Sequence, residues 1–219
     1  MEKTKDGQMK RICVLLLIFF GFFDVAASER MTCEQVRQRL AEGNDRYVKG
    51  LLEHPHETSY LREAVASKQY PFAVIVGCSD SRVPPEIIFD QSLGDLFVVR
   101  VAGNVIGNIE LESIEYAALH LGTPCIVVMG HQSCGAVDAV VEGNAQGMPA
   151  IAKLIKPSVE EAKKNSSDDV LSAAIKENAI RMQNFLLNSK QINKLYKEKK
   201  IGVRAAYYDL STGAVEWLK

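Results

Sequence analysis

The chain has one tryptophan, five cysteines and no excess of charge of either sign: 26 Lys and Arg face 27 Asp and Glu, for a formal net charge of −1. Without a basic surplus there is no case for a nucleic-acid partner, because a phosphate backbone rewards clustered Lys and Arg. The cysteines are few and scattered from Cys13 to Cys134, so a disulfide framework is not expected. Metal binding or catalysis is the better first use for them. No internal repeat or low-complexity tract is visible. With 47% hydrophobic and 24% charged residues, the composition is that of an ordinary globular domain, and 219 residues can bury a core without staples.

An apolar run from Ile12 to Phe23 falls short of the about 20 residues that a bilayer crossing needs. Lys3, Lys5, Lys10 and Arg11 precede it, and the small residues Val25-Ala26-Ala27-Ser28 follow. A basic region, an apolar stretch and a small-residue exit describe a secretory signal peptide, residues 1–27, cut after Ala27. Met9 is an alternative start. Residues 28–219 then form a single domain, secreted or periplasmic, in an oxidising compartment. Left uncleaved, the run would anchor the chain, and membrane contact is expected through this segment alone.

Downstream, Thr32 caps a helix from Cys33 to about Lys49, with Gln35 at the capping-box position. A short helix is expected near Tyr60–Ser67. Three apolar, β-branched runs, Phe72–Gly77, Leu96–Val101 and Cys125–Met129, read as strands covered on both faces, which marks a parallel sheet. Ile109–Leu121 has helical periodicity and Gly122 stops it. Met148–Lys200 is mostly helical, broken at Asn165–Asp169, where Asp168 or Asp169 caps the next helix. Gly202–Tyr208 and Ala214–Leu218 form a closing hairpin around Ser211-Thr212-Gly213. The expected fold is an α/β domain with a mostly parallel central sheet flanked by helices and an N-terminal helical arm. Cys125 is expected as a buried hydrophobe within its strand, and Cys33 as an exposed thiol near the mature end.

Two segments carry chemistry: Gly77-Cys78-Ser79-Asp80-Ser81-Arg82 and Gly130-His131-Gln132-Ser133-Cys134-Gly135. Each begins where a strand ends, and open α/β sheets bind ligands beyond the carboxyl ends of their strands. Cys78, His131 and Cys134 offer two thiolates and an imidazole, a set that suits zinc and leaves a fourth position open. Asp80 has two partners within reach. On zinc it closes the site as a further ligand; paired bidentately with Arg82 it leaves that position to water. Two thiolates neutralise the ion, so a bound water is acidified less than on a tris-histidine site, where its pKa falls to about 7.

At these residues the sequence resembles the β-class carbonic anhydrase family. CSDSR at Cys78–Arg82 and GHQSCG at Gly130–Gly135 are similar to that family's two zinc motifs, and FVVRVAGN at Phe97–Asn104 and IEYAALHLG at Ile114–Gly122 add to the likeness. The resemblance implies one zinc ion on Cys78, His131 and Cys134, with Asp80 and Arg82 as a catalytic dyad. The reaction it implies is reversible hydration of CO2 to bicarbonate and a proton by zinc-bound hydroxide. It also implies substrate-pocket roles for Gln69, Phe97 and Tyr116, a backbone N–H of Gly135 for bicarbonate, and a homodimer or larger even-numbered oligomer in which a neighbour supplies part of the pocket. Some members carry a tryptophan at the position of Ile75 as part of an inhibitory bicarbonate site; that device is not expected here. Carbonyl sulfide or carbon disulfide hydrolysis, a non-catalytic binding role, and a Cys134–His131 thiol hydrolase are the competing readings.

Overall fold

The computed structural model describes residues 31–219 apart from 56, 166 and 167. The expected signal segment, its cut after Ala27, and His56 lie outside the described residues.

Helix α1 (Cys33–Lys49) starts as its sequence dictates. The Thr32 side chain accepts from Gln35 N–H, and Gln35 returns the bond to the Thr32 backbone. Gly50, left-handed at φ 68°, ends it. Val36 and Leu40 are fully buried beneath it. Asn44 ties the helix down, donating to Ile88 O and Gly213 O and accepting from Val215 N–H. Short helix α2 (Ser59–Val65) follows, capped by Thr58.

Five strands, β1 (Ala73–Gly77), β2 (Leu96–Arg100), β3 (Cys125–His131), β4 (Gly202–Tyr208) and β5 (Val215–Trp217), form one sheet in the order β2-β1-β3-β4-β5. The first four pair in parallel, and β5 closes antiparallel on β4. The expected mostly parallel sheet is therefore observed. β1 and β3 are buried along their whole length because helices cover both faces. Strand β3 runs two residues further than its apolar pattern, through Gly130 and His131, paired to Tyr207 and Tyr208. Gly130 admits this: a Cβ there would meet Ile175 Cγ2 at 2.9 Å.

Helices α3 (Pro85–Ile88), α4 (Asn108–Tyr116), α5 (Gly135–Val141), α6 (Pro149–Asn165), α7 (Val170–Asn188) and α8 (Lys190–Lys197) complete the fold. α3 and α5 are too short to leave a periodic signature in the sequence. The expected Ile109–Leu121 helix is α4 continued by a π-helical turn, Ala117–Leu121, and Gly122 ends it at φ 67°. Asp169 caps α7 through Ser172 N–H, and Ser189 caps α8.

One expectation is overturned. Cys33 and Cys125 are joined in a disulfide, 92 residues apart in sequence with Cα atoms 4.7 Å apart. Cys33 is thus no free thiol and Cys125 no simple hydrophobe. The sheet register explains why: Cys125 opens β3 opposite Gly202 of β4, under the first turn of α1. Gly202 leaves the room, since a Cβ there would sit 2.5 Å from both Cβ and Sγ of Cys33.

Candidate metal centre

Strands β1 and β3 are neighbours in the sheet and run in parallel, so the segments that leave their carboxyl ends emerge side by side. Cys78 follows Gly77 directly, and His131 is the last residue of β3. Ser133, left-handed at φ 53°, coils the chain so that Cys134 turns back toward His131. The outcome is a buried triplet: one ligand-capable atom from each of Cys78, His131 and Cys134, all within 4.8 Å of one another.

Each member is aimed by its surroundings. His131 Nδ1 lies 2.9 Å from Gln132 O. A carbonyl can only accept, so Nδ1 carries the proton and the lone pair is on Nε2. That Nε2 is buried and has no hydrogen-bond partner among the described residues. Cys134 is the N-cap of α5 and is completely buried. Cys78 Sγ accepts from Gly103 N–H at 3.3 Å.

The protonation chemistry calls for a cation. A hydrogen bond from Cys134, helped by the Gly103 amide, lowers the Cys78 thiol against the cost of burial. The Cys78 thiolate in turn, together with burial, pushes the Cys134 thiol up. Two buried thiolates repel each other and are poorly solvated, and a divalent ion between them removes both penalties. The orphaned imidazole nitrogen and the paired sulfurs therefore fit a tetrahedral, sulfur- and nitrogen-preferring ion with one place left over.

Asp80 stands beside this triplet rather than in it. Arg82 grips it bidentately, Nε to Oδ1 at 3.0 Å and Nη2 to Oδ2 at 2.7 Å, and the Arg82 backbone N–H adds a third bond at 2.9 Å. The Arg82 hydrogen bond is the main reason why the Asp80 carboxyl titrates well below the usual carboxylate range. Its Oδ2 nevertheless reaches to 3.9 Å from His131 Nε2, so an ionised acceptor faces the open side of the triplet. Of the two partners that the sequence put within reach, Asp80 is paired with Arg82 here.

Sequence reasoning passed over Arg100. Its guanidinium, at the end of β2, donates to Cys78 O at 2.8 Å and also to Asp80 O, clamping the loop that carries both residues. A single charge inside the apolar run Leu96–Val101 was the available signal.

Of the four expected pocket residues, Gly135 lies beside the triplet and the other three do not. Gly135 follows Cys134 and faces open space, where an added Cβ would meet nothing within 4 Å. Phe97 is level with Val74 near the amino ends of the strands, whereas Cys78, just beyond Gly77, is four residues further along. At about 3.3 Å per residue that is roughly 13 Å. Tyr116 goes with Phe97, ring centroids 6.2 Å apart. Gln69, before β1, lines a cavity of about 550 Å³ with Phe72, His120 and Pro124. Within one chain, Gln69, Phe97 and Tyr116 are therefore not brought to the triplet, because strand direction puts them at the other edge of the sheet.

Residues 73–215 match the family model described as carbonic anhydrase. A carbonic anhydrase 2 of Mycobacterium tuberculosis is 57% identical over 102 residues, 47% of this chain and 49% of the relative, so the match spans about half the relative's length. Carbonic anhydrase 1 of Escherichia coli O157:H7 is 31% identical over 185 residues, 77% of this chain and 84% of the relative. Among solved structures, the β-carbonic anhydrase CcaA superposes with a TM-score of 0.67 at 26% identity, over 84% of this chain and 95% of that one. With the paired sulfurs and imidazole at the ends of β1 and β3, these matches place the chain in the β-class carbonic anhydrase family.

Proposed function

We propose that this protein is a zinc-dependent carbonic anhydrase that interconverts CO2 and bicarbonate. The observation that carries the reading is the buried Cys78–His131–Cys134 triplet with the ionised Asp80–Arg82 pair at its open side. Cys78, His131 and Cys134 hold the ion. When bound there, zinc would supply the Lewis acidity that makes hydroxide available to CO2. Asp80 stays ionised because Arg82 holds it, and so acts as a fixed acceptor that orients the attacking oxygen's proton. Arg82 keeps that carboxylate off the metal position. Arg100 holds the backbone of both Cys78 and Asp80 and so fixes their separation. Gly135, at the start of α5, offers a backbone N–H to bicarbonate.

Gln69, Phe97 and Tyr116 serve a pocket only if a second copy brings them across, so the working form is a homodimer or larger even-numbered oligomer. In support, β2 is an edge strand, with one side unpaired among the described residues. Large apolar side chains, Ile87, Leu93, Ile109, Tyr116 and Leu119, are exposed in the chain taken singly. The location we propose is secreted or periplasmic. The sequence of residues 1–28 and the Cys33–Cys125 bridge both favour an oxidising compartment. Among the described residues no helix is long and apolar enough to cross a membrane.

Metal analysis with stopped-flow CO2 hydration against pH tests this reading. One zinc per chain is expected, with turnover rising above neutrality because two thiolates leave bound water less acidic. Cys78→Ala should lose zinc. Asp80→Ala should keep zinc and lose about 100-fold or more in kcat. Folded protein that takes up no zinc, or that holds zinc without hydrating CO2, would refute it.

A further inference from the structure

Helix α7 packs against β3, the strand that ends in His131. Asn178 lies in the middle of α7 and is completely buried. Its Nδ2 donates to Gly103 O at 2.8 Å, while its Oδ1 has no hydrogen-bond partner among the described residues. A buried amide with half of its capacity unused is costly, and an apolar side chain would fill the same space at less cost. What Asn178 does there must be worth that cost, and its bond leads to Gly103.

Gly103 sits in the turn that follows β2, left-handed at φ 70°, and Asn104 after it is also left-handed at φ 44°. Glycine and asparagine tolerate this conformation better than other residues, but single positions are the norm and two in succession need support from their surroundings. A side chain at 103 would be strained, because φ is positive and a Cβ would come 2.8 Å from Ile155 Cδ1. So the backbone alone passes here, and its N–H points at Cys78 Sγ, 3.3 Å away. The link runs from Asn178 to Gly103 O, and from Gly103 N–H to a thiolate sulfur.

We infer that Asn178 is a positioning residue for the metal thiolate: it pins Gly103 so that the Gly103 N–H stays bonded to Cys78 Sγ. The inference rests on the reading that Cys78, His131 and Cys134 hold zinc. An N–H donated to a ligand sulfur withdraws electron density from it and fixes its lone pairs, which tunes both affinity and the spectrum of the bound metal. Loss of an outer-shell partner of this kind typically costs 10–100-fold in metal affinity.

The test uses Asn178→Leu, which keeps the branched heavy-atom shape and removes the donor. Asn193→Ala serves as the comparison, since Asn193 Nδ2 also holds a backbone carbonyl, Leu187 O at 2.6 Å, at the start of α8 and away from the triplet. Zinc affinity is measured against a competing chelator, and the cobalt-substituted proteins are compared by their sulfur-to-cobalt charge-transfer band. Asn178→Leu should bind zinc about tenfold or more weaker than the parent chain and shift the band, while Asn193→Ala changes neither. An unchanged band together with unchanged zinc affinity in folded Asn178→Leu overturns the inference and leaves the proposed function standing. A parent chain that binds no zinc overturns both.

Should Asn178→Leu fail to fold, two measurements replace it. The parent chain loaded with cadmium-113 should show a scalar coupling between the metal and the Gly103 amide proton, and absence of that coupling overturns the inference. Asn178→Ser, too short to reach Gly103 O, should reduce the coupling; the same coupling in both proteins also overturns it.

Discussion

The Cys33–Cys125 bridge allows a direct test of what holds the N-terminal helix on the sheet. It closes a loop of 92 residues. In the chain-entropy picture a cross-link of that span removes about 4–5 kcal/mol of disorder from the unfolded chain. Cys33→Ser, or reduction of the parent protein, should therefore lower unfolding stability by roughly that amount and the melting temperature on the order of 10 °C. Urea denaturation with and without a thiol reductant measures it, the two reduced forms serving as mutual controls. Zinc content and CO2 hydration of the folded variant should not change. The bridge sits at the start of β3, six residues before His131, about 20 Å along the strand from the metal centre. A loss below about 1 kcal/mol would mean that the unfolded chain is not freed by breaking the bond. A loss of zinc at full folding would mean that the two ends of β3 are coupled in a way rigid strand pairing does not allow.

Two further outcomes follow from the same packing. Gly202→Ala should destabilise the oxidised protein by about 1–3 kcal/mol, because its methyl meets the bridge, and by less in the Cys33→Ser background, where the helix end can move; equal losses in both backgrounds, measured by denaturation, would refute the contact. Asp90 is buried, which alone would raise its carboxyl, but Arg46 Nε at 2.6 Å and the Glu53 and His54 amides outweigh burial and lower it. Its stabilisation is then present above the ordinary carboxylate pKa of about 4 and is lost as pH falls through the lowered folded value. Asp90→Asn should cost about 2–3 kcal/mol, steady from pH 5 to 9 and fading only below about pH 4. A difference that grows in acid would reverse the sign of the shift.

The sequence by itself determined the elements whose cause is local. Thr32 and Gln35 start α1 because a capping box needs only four consecutive residues. The runs at 73–77 and 125–129 announce buried parallel strands because both faces must be apolar, while the run at 96–100, expected to be covered in the same way, is a parallel strand at the sheet's edge and only half-buried. The two zinc-like motifs were legible for the same reason: each is short, contiguous and attached to the end of a strand. Other features depended on which strands became neighbours, and that only the tertiary structure decided. The register of β3 on β4 put Cys125 beneath Cys33 and turned two expected thiols into a bridge. The placing of β1 beside β3 brought Cys78 to His131 and Cys134. Strand direction sent Gln69 and Phe97 to the opposite edge, although they are close to Cys78 in sequence. Arg100 and Asn178 act through backbone carbonyls, which every residue possesses, so no pattern of side chains could name their partners. Contacts between segments distant in sequence depend on how the whole core packs, and no local window of residues contains that information.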